Sequence, residues 1–326
     1  MTEGVTRRQA LAATAGLALA AGAGPARAAF PERQITVVVP FPPGGPNDII
    51  GRLVGLAFER AFKAPAIIEN RPGAGGALAL GVSARATPDG YTVVLPSGVS
   101  YVTQPALLPD APFKLDGFRA IAIAASGPSV LAVRSGFEAT SVEKLVALAK
   151  SQPGVLTYGS SGVGTTLHLG GELFKRLAAV DIMHVPYKGT SEVVLDLAGG
   201  RIDMAFISPM NARKLADDGK ILALATTGAA RPKGWEQTPT VAEAGVAGYA
   251  LDSWYPLLAP AATPDEAVRA LNAALAEGLK APEAQSRLAD LGFTPRGDSV
   301  EASEAFIAAE SRKWTDLIAQ AKISAE

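Results

Sequence analysis

Cysteine is absent from this sequence of 326 residues. Its absence excludes disulfide bonds, thiolate metal sites, a cysteine nucleophile and a lipid anchor on an N-terminal cysteine. Histidine is nearly as scarce, because His168 and His184 are the only two. Their spacing does not suggest a metal site, and we expect a structural role for both, so the sequence predicts neither a metal nor a cofactor.

A basic excess and long apolar runs are also lacking. The formal net charge is −1, the pI is about 6.2, and no basic stripe is visible, which argues against a nucleic-acid partner. After the N-terminal segment no apolar run reaches the ~18 residues of a membrane-spanning helix. At ~150 residues per domain, the length predicts two domains.

The N-terminal segment has the pattern of an export signal. A basic pair, Arg7-Arg8, precedes the apolar, alanine-rich run 10–23, and Ala26-Arg27-Ala28 offers an A-x-A cleavage site. We therefore predict a signal peptide over residues 1–28 and a mature protein in the periplasm, without a lipid anchor. The residues around the arginine pair resemble a twin-arginine signal, and the general secretory route is the alternative.

The chain is organised around residues 35–52, ITVVVPFPPGGPNDIIGR, where a β-branched run typical of a buried strand leads through a Pro/Gly loop into a helix. We expect Asn47 or Asp48 to be the N-cap of that helix. A strand, a loop and a helix N-terminus leave backbone N–H groups free to bind an anion. Because proline has no N–H, the donors are those of the other loop residues, Gly44, Gly45, Asn47 and Asp48. An ordinary strand-to-helix connection is an equally good interpretation of this loop alone.

Loops rich in glycine or hydroxyl groups follow most of the predicted strands. Strands and helices alternate in two βαβ series, which predicts an α/β fold with parallel sheets. Ligands bind outside the carboxyl ends of such strands. The loops at these ends are 40–48, 70–76, 96–98, 159–166, 186–190 and 208–211. Two domains that present these loops to each other form a cleft rich in N–H and hydroxyl donors, which suits a carboxylate ligand.

Motifs of the common enzyme classes are incomplete. The segment 159–163, GSSGV, lacks the second glycine of a nucleophile elbow, and the dinucleotide fingerprint fails at Leu167. The phosphate-binding P-loop motif is missing as well. We therefore expect no catalytic residue and no enzymatic activity. A periplasmic hydrolase acting through Ser160 or Ser161 stays as the disfavoured alternative.

Six motifs appear along the chain in the order VPFPPGGPND, ENRPGAGG, PDGYTVVLPS, YGSSGVGTTLHLGGELF, HVPYKGT and TPTVAEAGVAGYALDSWYPLLAPAATP. Together they resemble the substrate-binding proteins of tripartite tricarboxylate transporters, also called the Bug family, and the resemblance covers the whole mature chain. The long segment GVGTTLHLGGELF…HVPYKG is its most specific part. The stretch TSEVV after VPYKG and the residue Pro256 depart from the family pattern near the predicted cleft or hinge, so they bear on which ligand fits.

The resemblance implies a periplasmic receptor with a two-domain, periplasmic-binding-protein-like (Venus-flytrap) α/β fold. Each domain is expected to hold a mostly parallel sheet flanked by helices, with residues 29–127 and 252–326 in the first domain and residues 128–251 in the second. The expected ligand is a small carboxylate, such as a di- or tricarboxylate, an acidic amino acid or an aromatic acid. We expect a monomer that serves membrane transporter subunits or, alternatively, a sensor kinase.

Matching the family motifs to this sequence places ligand contacts on both domains. In the first domain they fall on Phe41, Gly44, Pro46, Asn47, Asp48 and Ser97. In the second domain they fall on Ser161, Gly164, Thr165, Thr166, Tyr187 and Ser208. The resemblance implies that backbone N–H groups hold the carboxylate, that Thr165 and Thr166 cap a helix and donate hydroxyls, and that Phe41 forms an apolar wall.

Overall fold

The computed structural model describes residues 30–108 and 110–321, so the predicted signal peptide lies outside the described residues. The strands are β1 (Ile35–Val39), β2 (Ala66–Asn70), β3 (Thr92–Val94), β4 (Phe118–Pro128), β5 (Val130–Arg134), β6 (Thr157–Ser160), β7 (Met183–Pro186), β8 (Met204–Ile207), β9 (Ile221–Thr226), β10 (Asp252–Pro260) and β11 (Thr294–Pro295). The α-helices are α1 (Pro46–Phe62), α2 (Ala77–Ser83), α3 (Gly98–Leu107), α4 (Val142–Ser151), α5 (Thr166–Ala178), α6 (Thr190–Ala198), α7 (Pro209–Asp217), α8 (Asp265–Gly278), α9 (Pro282–Asp290) and α10 (Val300–Ala321). Within these two ranges, no helix combines the length and the apolar character that crossing a bilayer would require.

The strands form two separate sheets with helices packed against them. The first sheet has the order β11-β4-β10-β3-β1-β2 and the second has the order β7-β6-β8-β5-β9. The chain passes to the second sheet between β4 and β5 and returns between β9 and β10. This arrangement confirms the predicted two-domain α/β class, and the exact bounds of the domains stay a prediction.

Both sheets contain antiparallel strands, although most strands in each point the same way, as predicted. Strand β1 is parallel to β2 and β3, and β6 is parallel to β7 and β8. In contrast, β10 is antiparallel to β3 and β4, and β5 is antiparallel to β8 and β9. The reason is that the chain crosses between the domains twice. β5 and β10 each enter their sheet from the other domain. They therefore run against those strands whose carboxyl ends face that domain.

Close packing of α1 on β1 fixes the start of α1 at the edge of the sheet. Val37 and Val39 on β1 are completely buried. Gly51, one turn into α1, lies so near the strand that an added Cβ would come within 2.7 Å of Val39 Cγ2. Because glycine has no side chain, the helix axis approaches the sheet closely, and its N-terminus is held at the carboxyl end of β1.

Helix α3, which the sequence patterns did not predict, is held in the same way. Its first residue, Gly98, packs flat against the indole of Trp254, and an added Cβ would come within 2.1 Å of that ring. Trp254 itself is only 1% exposed, and its Nε1–H donates to Glu310 at 3.2 Å. The N-terminus of α3 is therefore anchored to β10, one of the two strands that connect the domains.

Candidate ligand-binding site

A cavity lies between the two domains, at the carboxyl ends of the parallel strands. Its volume is about 40 Å³, which is space for roughly three water molecules. Its sixteen lining residues are Phe41, Pro42, Gly45, Pro46, Asn47, Ser97, Ser129, Ser161, Thr166, Leu167, Thr190, Ser191, Ser208, Ser253, Tyr255 and Phe293. The cleft is therefore nearly closed, and a ligand of several carbon atoms requires it to widen.

Five helices begin at this cavity. The first turns or caps of α1, α3, α5, α6 and α7 supply Pro46, Ser97, Thr166, Thr190 and Ser208 to its wall. The first N–H groups of a helix have no partner within the helix, and the helix dipole makes that end positive. The lining residues include no Asp, Glu, Lys or Arg, so no charged side chain forms part of the cavity wall. The cavity is built to hold an anion without a cationic clamp.

Hydroxyl groups supply further hydrogen-bonding capacity and also join the two domains. Ser97 Oγ on the first domain lies 3.0 Å from Thr166 Oγ1 on the second, and either hydroxyl can donate. A second bond across the cleft runs from Thr103 Oγ1 to the carbonyl oxygen of Gly164 at 2.8 Å. Gly189 packs on Pro42, where an added Cβ would lie 2.9 Å from Pro42 Cδ. Direct contacts therefore hold the domains together around the cavity.

The remaining wall is apolar. Phe41 and Leu167 contribute from opposite domains, and Tyr255 and Phe293 contribute from the β10–β11 side of the first domain. The two rings of Tyr255 and Phe293 pack at 5.2 Å between centroids. An anion bound at the helix N-termini would thus have its carbon skeleton against rings and prolines, which is the environment that a small organic acid needs.

Seven of the predicted ligand residues line the cavity, namely Phe41, Pro46, Asn47, Ser97, Ser161, Thr166 and Ser208. The other five lie beside it with their polar groups engaged elsewhere, namely Gly44, Asp48, Gly164, Thr165 and Tyr187. These five build the loops around the cavity, and direct ligand contact through them stays a prediction.

Asp48 anchors the first-domain loop. Its carboxylate accepts hydrogen bonds from the Gly44 N–H at 3.0 Å, from Arg52 at 3.1 Å and from Asn70 at 3.1 Å. Burial alone would raise the pKa of Asp48, but these hydrogen bonds outweigh it and hold the pKa below its ordinary value. The N–H of Gly44 is consequently not available to a ligand.

Helix α1 begins at Pro46 with Gly45 as its N-cap, so the expectation that Asn47 or Asp48 caps it is wrong. Proline suits the first helical position because its missing N–H has no partner there in any case. The side chain of Asn47 instead donates to the carbonyl oxygen of Leu95 at 3.1 Å. That bond ties the start of α1 to the end of β3.

Replacing Asp48 by asparagine is expected to lower the free energy of unfolding by about 1–3 kcal/mol, because several buried donors then lose a charged acceptor. The matched control is Arg52→Gln, which breaks the same ion pair from its exposed end. The Arg52 side chain is 57% exposed and the Asp48 side chain 5%, so the control is expected to cost about 0–1 kcal/mol. Urea unfolding measures both, and equal losses would contradict the anchoring role.

The second-domain loop is also held internally. Thr165 is the N-cap of α5, as predicted, and its Oγ1 accepts from the His168 N–H and donates to the Gly162 carbonyl at 2.7 Å. Thr165 is 1% exposed, so this hydroxyl serves the loop. Tyr187 donates its hydroxyl to Asp196 at 2.7 Å, and burial together with that bond raises its pKa to about 12.

A serine–histidine pair is present, but it is shut away from the cavity. Ser160 Oγ lies 2.6 Å from His184 Nε2. Ser160 is completely buried and also exchanges hydrogen bonds with the backbone of Gly162, and it does not line the cavity. A nucleophile must reach its substrate, so this geometry does not support a hydrolase. Residues 30–108 and 110–321 contain no cluster of three His, Asp or Glu side chains that could hold a metal ion.

Nine lining residues were not among the predicted ligand contacts, although the sequence had marked Gly45 as a donor and the stretch with Thr190 and Ser191 as bearing on the ligand. The nine are Pro42, Gly45, Ser129, Leu167, Thr190, Ser191, Ser253, Tyr255 and Phe293. Ser129 and Ser253 lie where the chain crosses between domains, and Phe293 follows a helix that no motif marked. Three of the nine, Pro42, Gly45 and Thr190, lie in loops already noted at strand ends, so loop position carried the available signal. The crossing residues and Phe293 reach the cavity only through tertiary structure.

Comparison with known proteins gives the family. The model of the tripartite tricarboxylate transporter family receptor matches residues 50–323. Protein BugT of Bordetella pertussis is 29% identical over 308 residues, which are 94% of this chain and 93% of BugT. The structure of R. palustris Rpa4515 with adipate is 33% identical, with a TM-score of 0.86 over 90% of this chain and 99% of that chain. MatC (Rpa3494) from Rhodopseudomonas palustris with bound malate is 30% identical, with a TM-score of 0.83 over 89% of this chain and 100% of that chain.

The fold and the comparisons agree, since an α/β chain with two sheets and an anion-binding cleft is matched along most of its length by receptor proteins. The match to the family model spans far more than half of the chain. This protein therefore belongs to the tripartite tricarboxylate transporter receptor family and is a solute-binding receptor, not an enzyme.

Proposed function

We propose that this receptor captures a small organic carboxylate in the periplasm and presents it to the membrane subunits of a tripartite tricarboxylate-type transporter. The observation that carries the proposal is the convergence of five helix N-termini on a cavity whose lining residues have no side-chain charge. An anion is stabilised there by backbone N–H groups and helix dipoles. Two structurally similar proteins hold adipate and malate, which are both carboxylates.

The proposed ligand contacts follow the cavity wall. The carboxylate takes N–H donors at the starts of α1 and α5 and hydroxyls from Ser97, Ser161, Thr166 and Ser208. The carbon skeleton lies against Phe41 and the other apolar wall residues. Dicarboxylates, tricarboxylates, acidic amino acids and aromatic acids all have this combination of an anionic end and a compact skeleton. The receptor acts as a monomer without a lipid anchor and is exported by the signal at residues 1–28, for which the twin-arginine and the general secretory routes are the alternatives.

A thermal-shift screen of the mature protein, from Ala29 onward, tests this function. We expect a carboxylate at 100 times its Kd to add about 2.7 kcal/mol to the free energy of unfolding, which raises Tm by roughly 5 °C or more. The matched control is the methyl ester of each hit, which keeps the skeleton and removes the charge. An ester that binds as well as its acid would contradict anion recognition. A screen without hits, together with no co-purified acid in the mass spectrum of the denatured protein's supernatant, would contradict the function itself.

A further inference from the structure

A buried aromatic cluster lies behind the first turn of α5, outside the ligand cavity. The imidazole rings of His168 and His184 lie 4.3 Å apart between centroids, and Tyr158 stacks on His184 at 4.9 Å. His168 is only 4% exposed and does not line the cavity. The proposed function assigns no role to this cluster, although the cluster contacts the loop that carries Ser161 and Thr166.

The contact is made through a single residue, Gly164, whose N–H and carbonyl oxygen belong to successive peptide groups. The Gly164 N–H donates to Nδ1 of His168 at 3.1 Å. An N–H group can only donate, so Nδ1 carries no proton, and the neutral imidazole of His168 must carry its proton on Nε2. The carbonyl oxygen of the same residue, Gly164, accepts the hydrogen bond from Thr103 across the cleft at 2.8 Å. Gly164 is thus bonded to its own domain through its N–H and to the other domain through its carbonyl oxygen.

Gly164 has φ +75°, a left-handed conformation that glycine adopts without steric cost. The residues immediately after it are the N-cap Thr165 and the cavity residue Thr166, which also bonds to Ser97. The two hydrogen bonds of Gly164 therefore lie directly beside the start of α5 and the bond between Ser97 and Thr166.

We propose that His168 is a positioning residue of the ligand site: as a neutral acceptor at Nδ1 it fixes the Gly164 peptide, and so couples the start of α5 to closure of the cleft. The proposal rests on the proposed function, because it takes ligand binding to occur at Ser161 and Thr166. It adds a residue that touches no ligand and acts through the backbone.

The surroundings keep His168 neutral. Its own helix, α5, carries Glu172 and Lys175, which pair with each other at 2.9 Å. Glu172 also accepts the hydroxyl of Tyr158 on β6 at 2.7 Å, and β7 contributes His184. Burial, the largest effect, and the Lys175 ammonium lower the pKa of His168, and the Glu172 carboxylate only partly offsets them. Protonation of Nδ1 would place two donors face to face and break the hold on Gly164.

The test compares two replacements of His168. In His168→Asn the side-chain Oδ1 takes the place of Nδ1 as an acceptor, whereas His168→Leu fills similar space without one. We expect hydrogen exchange of segment 160–166, measured without ligand, to be near wild type in the asparagine variant and about tenfold faster in the leucine variant. With malate and adipate as calorimetric probes, we expect the affinity of the asparagine variant to be within about threefold of wild type and that of the leucine variant to be about tenfold lower.

Thr103→Val provides the independent second variant, because it removes the bond across the cleft together with the bond that the same hydroxyl makes to the Val99 carbonyl within α3. We expect it to weaken the binding of malate and adipate about threefold to tenfold. Hydrogen exchange of the backbone amides next to His168 is expected to stay at the wild-type rate. Equal exchange rates in the asparagine and leucine variants would overturn the proposal. If the wild type binds neither probe, the proposed function is in doubt, and the exchange comparison still decides the role of His168.

Discussion

Substitution of Ser208 by aspartate is expected to weaken carboxylate binding by about 100- to 1,000-fold. Ser208 lies at the cavity wall, 5% exposed, where α7 begins. Two like charges about 4 Å apart repel by about 4 kcal/mol at the effective dielectric constant near a protein surface, and a longer separation gives the lower end of the range. The new carboxylate would also occupy the helix N-terminus in place of the ligand.

The fold is expected to survive this change. Ser208 is the N-cap of α7 and accepts the Asn211 N–H at 3.3 Å. Aspartate is an equally good N-cap, and its charge is favourable at a helix N-terminus, so Tm should stay the same or rise. The matched control is Ser208→Asn, which has the same shape without the charge and should retain most of the affinity. Calorimetry that finds the aspartate variant within about threefold of wild type would place the ligand's charge away from α7.

A fall in pH from 6.5 to 4.5 is expected to lower the free energy of unfolding by about 3–4 kcal/mol through the two histidines. Burial lowers the pKa of His168 to about 4, and burial with the adjacent His168 lowers the pKa of His184 to about 3. Above pH 6.5 both are neutral in the folded and unfolded chain. Below it the unfolded chain takes up protons that the folded chain does not, so stability falls by up to about 1.4 kcal/mol per histidine per pH unit.

Urea unfolding at intervals across this window measures the slope. The control is the double variant His168→Asn with His184→Gln, in which neutral amides replace the imidazole nitrogens that face Gly164 and Ser160. We expect it to be less stable than wild type at neutral pH but to lose only about 1 kcal/mol on acidification, because most carboxylates titrate lower. A slope as steep as that of wild type would mean that other groups cause the acid sensitivity.

Local signals in the sequence identified the elements that carry the site. A β-branched run followed by a Pro/Gly loop predicted β1 and α1. The family resemblance implied a helix cap at Thr165 and Thr166, and Thr165 is the N-cap of α5. The exact start of α1 could not be predicted, because the choice between Gly45, Asn47 and Asp48 as cap depends on which side chains are engaged by Leu95, Arg52 and Asn70. Those partners are 4 to 48 residues away in the chain.

Helix α3 and the positions of the antiparallel strands could not be predicted, for a related reason. The sequence of α3, GVSYVTQPAL, has β-branched residues and a proline, and its helical form depends on packing against Trp254 and α10. The antiparallel direction of β5 and β10 follows from where the chain enters each sheet, which no local pattern encodes. Likewise, Phe293 reaches the cavity only because β11 pairs with β4.

The recognition of charge by helix N-termini has a consequence for evolution. A backbone N–H is present whatever side chain the residue carries, except proline, so point mutations scarcely alter the preference for an anion. Mutations of the wall residues, such as Phe41, Leu167 or Phe293, change only the shape offered to the ligand's skeleton. A gene duplicate can therefore drift to a new acid through a series of intermediates that all still bind acids, and it need never pass through a receptor that binds nothing.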